Sequence, residues 1–225
     1  MTVLSRKAIR DEILRQKLVV TPILDPKKQI GNMSIDLRMG TSAALIRGSD
    51  LSHVDPALYM ARDGFPGEKG RRRKLERMSV PFGDRLTLHA GSLILVSTLE
   101  WVSLPPYLKG VVTARSSWAR EGLNIATATF IDPCYNGIVT LELANLSQVP
   151  VVLYPGMRIA QIAFMHLEGV DRKQECLGNV GDRKFNLSFE PNSGDITKDD
   201  EPFIPPISDR AAPVGLERRA SRKGK

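Results

Sequence analysis

Residues 115–120 read Arg-Ser-Ser-Trp-Ala-Arg and pack two hydroxyls and two guanidiniums into six positions. With the backbone N–H groups of a short turn or helix, that set suits phosphate oxygens, because the arginine fork matches their geometry. Taken on composition alone, a surface turn with an N-cap serine is the simpler account. A second cluster, Phe130-Ile131-Asp132-Pro133-Cys134-Tyr135-Asn136-Gly137, has the residues of a tight hairpin turn. Its functional reading puts Asp132 on a sugar hydroxyl and Tyr135 flat against a deoxyribose. By itself the plain turn is again simpler. The third feature is Glu142. On a strand, Val139, Leu141 and Leu143 share one face, and Ile138, Thr140, Glu142 and Ala144 share the other. A carboxyl among such small and apolar neighbours resists ionisation and can act as both acid and base near neutral pH. A solvent-facing glutamate on an edge strand is the commoner alternative.

Several chemistries are excluded. No GxxxxGK[ST] phosphate loop is present, and GFPGEKG at 64–70 is only a glycine-rich loop. His53, His89 and His166 lack metal-ligand spacing. A zinc nucleobase deaminase needs His-x-Glu and Pro-Cys-x-x-Cys to hold the metal that activates water. Here Pro133-Cys134 is followed by Tyr135 and Asn136, with no second cysteine in place. The two cysteines, Cys134 and Cys176, have no metal-type spacing and suggest no disulfide framework.

These groups need elements to hold them. A helix is expected after Ser5, a good N-cap, with Ile9, Ile13 and Leu14 at helical spacing. Turn-rich sequence follows from Thr21 to Asn32, and residues 46–82 read as an insertion or long loop. From Leu86 the pattern turns to short strands: 86–89, 93–97, 109–114, 123–129, 138–144 and 151–154, punctuated by Gly, Pro and Asn. Such spacing predicts an all-β barrel or sandwich. Residues 1–194 are expected to form one domain, and 195–225, polar then Pro-rich then basic, a mobile tail. No apolar run approaches the roughly 18 residues of a membrane span, and the N-terminus carries charges where a leader needs apolar residues, so the cytoplasm is expected. The formal charge of +7 is concentrated at 69–77 and 209–225. It is read as solvated charge rather than a nucleic-acid surface.

Taken in order, the segments resemble the dCTP deaminase branch of the dUTPase superfamily over roughly residues 3–194. The resemblance is carried by Leu4-Ser5, Ser34-Ile35-Asp36-Leu37-Arg38-Met39-Gly40, Thr98-Leu99-Glu100, Leu104-Pro105, Arg115-Ser116-Ser117 with Arg120, Ile131-Asp132-Pro133 with Tyr135 and Gly137, Leu141-Glu142-Leu143, and Pro155-Gly156-Met157. It implies a mainly β, distorted barrel with an N-terminal helix, assembled as a homotrimer with sites between subunits. It also implies that dCTP or dUTP binds with Mg²⁺ on its phosphates and no zinc. By resemblance, Ser116, Ser117 and Arg120 contact phosphate or organise the catalytic water, with Arg115 in support. Thr127 and Ala128 line the base pocket, Asp132 takes the 3′-hydroxyl, Tyr135 packs on the sugar, and Glu142 is the catalytic acid/base. Lys184 fits the lysine of a C-terminal phosphate-covering segment.

The chain departs from the family pattern at several points. Phe130 stands where monofunctional deaminases often have a basic residue. Trp118 is bulkier than the usual aliphatic, and Leu177 and Ser188 replace the expected tyrosine and glutamine. The leading expectation is deamination of dCTP to dUTP and ammonia. The alternatives are a bifunctional enzyme continuing to dUMP and pyrophosphate, a pure dUTPase, and a nucleotide-binding regulator without catalysis.

Overall fold

Ser5 begins the first helix, as its type predicts. Its side chain accepts the Ala8 N–H at 3.4 Å, and α1 spans Arg6–Leu14 behind a two-residue strand, β1 (Thr2–Val3). Ile9 is fully buried, but Leu14 is 80% exposed. Glu12 takes an inward position instead, because the Tyr107 hydroxyl donates to its carboxylate at 2.7 Å. The computed structural model describes residues 2–46, 75–125, 129–171, 176 and 187–191. One compact unit comprises Met1–Arg47 and Leu75–Ser193. The tail expected at 195–225 lies outside the described residues, as does most of the loop expected at 46–82.

The remaining elements are β2 (Val19–Thr21), α2 (Pro26–Gln29), β3 (Ser34–Ile46), β4 (Leu75–Ser79), β5 (Leu86–Leu88), β6 (Leu93–Ser103), β7 (Leu108–Ala114), α3 (Ser116–Arg120), β8 (Leu123–Ile125), β9 (Phe130–Ile131), β10 (Asn136–Asn145), β11 (Val151–Leu153) and β12 (Arg158–His166). The fold is mainly β, as expected. β4 corrects the expectation of a continuous loop over 46–82. It pairs antiparallel with the second half of β3, and its residues are largely exposed, so no alternation of apolar and polar residues marks it in the sequence. β3 and β12 were not legible as strands either. In β3, Arg38 and Gly40 break the pattern, although most of the strand is buried on both faces.

The main sheet runs β8-β10-β6-β3-β12-β7-β9, with β1, β2 and β4 pairing off that path. β8 and β9 lie at opposite ends of this order, yet they are joined by residues 126–129 alone. Laid flat, six strand spacings would separate them by about 29 Å. Five residue steps reach about 18 Å at most. The sheet therefore has to curl, and the result is a half-barrel closed around Leu37, Met39, Val96, Leu141, Ile162 and Phe164, all essentially inaccessible. Gly40 permits the tight approach of β3 to β6, since a Cβ there would lie 2.8 Å from the Thr98 carbonyl oxygen. Among the described residues no helix is long and apolar enough to cross a membrane.

A polar cluster sits inside this shell. Glu100 is fully buried. Its carboxylate accepts from the Arg38 backbone N–H at 2.7 Å, from Arg38 Nη1 at 3.0 Å and from Gln29 Nε2 at 2.9 Å. Burial pushes the Glu100 carboxyl above its ordinary range, against the pull of the Arg38 hydrogen bonds. The cluster pins α2 and β3 to β6. Glu100→Ala would leave Arg38, 9% exposed, with a buried uncompensated charge. The expected cost is about 3–5 kcal/mol in denaturant unfolding. A loss under about 1 kcal/mol would mean that water compensates Arg38.

Candidate functional site

Three pieces of backbone carry the residues singled out by their chemistry. The first is α3, which follows directly from β7. Arg115 is its N-cap, with extended backbone and no side-chain cap bond. Ser116 and Ser117 therefore lie inside the helix, and the simpler account of a capping serine does not hold. Gly122 ends the segment with φ +86°, where a Cβ would also stand 2.8 Å from the Ser147 backbone nitrogen. Ser116, Ser117 and Arg120 are exposed. Among the described residues no hydrogen bond or ion pair engages their side chains, so two hydroxyls and a guanidinium face solvent uncommitted. Trp118 is half-buried, and its indole N–H donates to the Arg158 carbonyl at 3.1 Å. The bulky residue thus ties α3 to β12.

Arg115 is also tied down. Its Nε lies 3.3 Å from Asp36 Oδ1, and the other oxygen of that carboxylate lies 3.1 Å from Arg158 Nη1. Neither Asp36 nor Arg158 was given a role from the sequence. They stand 79 and 43 residues from Arg115, on β3 and β12, and only strand pairing brings them together.

The second piece is the turn between β9 and β10. The Tyr135 N–H donates to the Asp132 carbonyl at 3.2 Å, and Cys134 takes a left-handed φ of +61°. Asp132 is exposed, and its carboxylate has no partner among the described residues. Tyr135 is half-buried, with its hydroxyl donating to the Ile138 carbonyl. That bond and the surrounding packing fix the ring plane, which a sugar-stacking role requires. Burial pushes the phenol up to about 12. The cysteines correct an expectation. Cys134 and Cys176 are bonded as a disulfide across 42 residues. Contact in space, which spacing does not reveal, brings them together. The same turn region receives residues 187–189. The Leu187 N–H donates to the Asn136 carbonyl at 2.7 Å, and the Ile138 N–H to the Ser188 carbonyl at 3.2 Å. Phe189 packs on Trp101 with centroids 5.0 Å apart. Ser188, where a glutamine was expected, thus lies along the start of β10.

The third piece is Glu142. Its strand parity is as read from the sequence: Val139, Leu141 and Leu143 are buried, and Ile138, Thr140, Glu142 and Ala144 are half-buried. Glu142 pairs across to Leu95 of β6. β8 pairs with the end of β10, Leu143 opposite Ile125, so Glu142 lies just past the paired stretch. Thr127, Ala128 and Lys184 lie outside the described residues, as does Leu177.

A family profile described as dCTP deaminase-like matches residues 3–167. The chain belongs to that family. It is 39% identical over 166 residues, 73% of its length, to a protein of Dictyoglomus turgidum named dCTP deaminase, dUMP-forming, and the match covers 80% of that relative. It is 33% identical over 200 residues to a dCTP deaminase of Natronomonas pharaonis, covering 85% of this chain and 98% of that one. Among solved structures, it resembles the 2′-deoxycytidine 5′-triphosphate deaminase of Agrobacterium tumefaciens, with a TM-score of 0.52 and 25% identity. That likeness covers 72% of this chain and 47% of the other, so the chain spans about half the length of that relative. The family match includes α3, the 132–135 turn and Glu142.

Tyr135 supplies a check on the turn. An unfolded phenol ionises near 10.0, whereas the folded one holds its proton to about 12. The stability owed to its neutral form is complete below pH 10.0 and declines as pH rises from 10.0 towards 12. Urea midpoints of wild type and Tyr135→Phe, compared at pH 9.5 and about 11.5, are expected to converge as pH rises. A gap that does not change with pH would mean the phenol is solvated.

Proposed function

We propose that this chain deaminates dCTP, water attacking C4 of cytosine, and that α3 binds the triphosphate while Glu142 moves the protons. The observation that carries the reading is Glu142: within a dCTP deaminase-like family match, a half-buried carboxyl stands on the shallow face of β10 next to the edge of β8. Atoms balance simply. The attacking water gives a proton to Glu142 as its oxygen bonds to C4. Glu142 passes that proton to N3, then takes the remaining proton of the new C4 hydroxyl and delivers it to the amine, so that ammonia leaves and C4 becomes a carbonyl. One carboxyl near the reacting carbon suffices for this traffic if it can cycle a proton.

Ser116, Ser117 and Arg120 take phosphate oxygens or hold the water, and Arg115 supports them. Asp132 accepts from the 3′-hydroxyl, and Tyr135 packs on the deoxyribose and excludes a ribose. Thr127 and Ala128 are proposed for the base and Lys184 for the phosphates. Mg²⁺ is proposed to enter on the phosphate oxygens, where it neutralises charge. Zinc is not proposed, since Cys134 spends its sulfur on Cys176. The active form is proposed to be a homotrimer with sites between subunits.

A second reading has specific support. The relatives at 39% and 38% identity are named dUMP-forming. Phe130, which is exposed and carries Lys109 Nζ 4.2 Å from its ring centre, stands where monofunctional enzymes often have a basic residue. On that reading, hydrolysis of dUTP to dUMP and pyrophosphate follows deamination. Incubation with dCTP and Mg²⁺ separates the two: ammonia with dUTP supports the first, ammonia with dUMP the second, and no ammonia contradicts both.

Glu142→Gln keeps shape and hydrogen bonding but cannot cycle a proton. Ammonia release is expected to fall by about 10⁴-fold, the upper end for positioned acid–base catalysis, with dCTP affinity largely kept. An exposed strand glutamate would instead change stability by under about 0.5 kcal/mol and leave turnover alone. A variant that deaminates near the wild-type rate removes Glu142 from the mechanism.

A further inference from the structure

Asp36 is set back from the exposed donors of α3. Its side chain is 13% exposed and lies between two guanidiniums. β3 pairs with β12, Asp36 opposite Gln161, and β12 pairs with β7, Ala160 opposite Ala114. The carboxylate therefore reaches across a strand to Arg115, just beyond the end of β7, while Arg158 rises from the strand between. We infer that Asp36 is a positioning residue for the triphosphate: it holds Arg115 so that the free edge of its guanidinium faces the phosphates. The inference rests on the phosphate-binding reading of α3.

Two of Arg115's nitrogens face protein. Nε is ion-paired to Asp36 Oδ1 at 3.3 Å, and Nη1 donates to the Arg158 carbonyl at 3.5 Å. No described bond uses Nη2, and the rigid fork then fixes where that edge points. Arg115 continues directly into Ser116 and Ser117, whose hydroxyls are uncommitted, so the three donors are aligned before any ligand arrives. The clamp is itself anchored from outside the site. Arg158 Nη1 also donates to the Lys28 carbonyl at 2.8 Å. Gln29 Nε2 donates to the Asp36 carbonyl at 3.1 Å while also bonding Glu100. Stability is a poor reason for such an arrangement. Arg115 and Arg158 are 31% and 32% exposed, and ion pairs that open to water contribute little. Holding a charged donor in its bound geometry, by contrast, removes an ordering cost from ligand binding.

The test uses inorganic triphosphate with Mg²⁺, and separately dCMP, titrated calorimetrically into wild type, Asp36→Asn, Asp36→Glu, Arg115→Ala and the Asp36→Asn/Arg115→Ala double variant. Asp36→Asn is expected to weaken triphosphate about tenfold, as for one misaligned charged hydrogen bond. It should leave dCMP affinity and the melting temperature nearly unchanged, with KM for dCTP rising more than kcat falls. Asp36→Glu should bind between wild type and Asp36→Asn. In the Arg115→Ala background the Asp36 change should add nothing, because its effect runs through that arginine. Four results would overturn the inference: full triphosphate affinity in Asp36→Asn, independent losses in the double variant, a parallel fall of melting temperature and both affinities, or wild type that does not bind triphosphate. Wild type that binds triphosphate and shows the coupling but releases no ammonia from dCTP would strike the deaminase reading and leave the clamp standing.

Discussion

The short link between β8 and β9 constrains nearly everything else. Four residues, 126–129, connect the two outer strands of the main sheet path, so the sheet cannot lie flat. Curling encloses the core. It also brings the end of β7, from which α3 springs, into the same curved wall as the turn that starts β10. The chain enters that wall at Arg115, leaves α3 through Gly122 and returns through Asp132 and Tyr135. One continuous stretch, 115–142, thus supplies two exposed hydroxyls and a guanidinium, the 132–135 turn and a half-buried carboxyl in sequence.

A curled sheet fixes the backbone but not the long side chains at its rim. The buried cluster of Glu100, Arg38 and Gln29 extends through the Asp36 backbone to the Asp36 carboxylate, and from there to Arg115 and Arg158. Its inner half is buried and costly to break. Its outer half is open enough to meet a ligand. The gradient from a rigid polar core to an exposed guanidinium is what a site needs if an anion is to find its donors already placed. The disulfide between Cys134 and Cys176 and the strand-like contacts of residues 187–189 tie the 132–135 turn down in a comparable way.

Much of this was readable in the sequence where local rules dominate. Ser5 announced α1, the strands around 93–97, 109–114 and 138–144 showed their apolar runs, and period-two alternation gave the orientation of Glu142. The central strand β3 escaped because burial on both faces leaves no alternation to read; β12 does alternate in burial, but apolar Ala163 and Met165 on its more open face hide the pattern. β4 escaped because it is polar and largely exposed on the rim. The cysteine pair, Asp36 and Arg158 were missed for a single reason: each is defined by a partner distant in sequence, and topology alone decides such partners. Leu14 fits helical spacing yet faces outward, because Tyr107 gives Glu12 a reason to turn in.

The account stands on the claim that α3 and Glu142 complete a deaminating site in an assembly of chains. Subunit complementation tests it most directly. Arg120→Ala and Glu142→Gln, each inactive alone, are dissociated together, reassembled and assayed for ammonia release from dCTP with Mg²⁺. If sites are shared between subunits, mixed assemblies contain some sites with both residues intact, and activity reappears in the mixture. If ammonia release stays at the level of the separate variants although mixed assemblies have formed, the two residues do not meet across a subunit boundary, and the shared site is wrong.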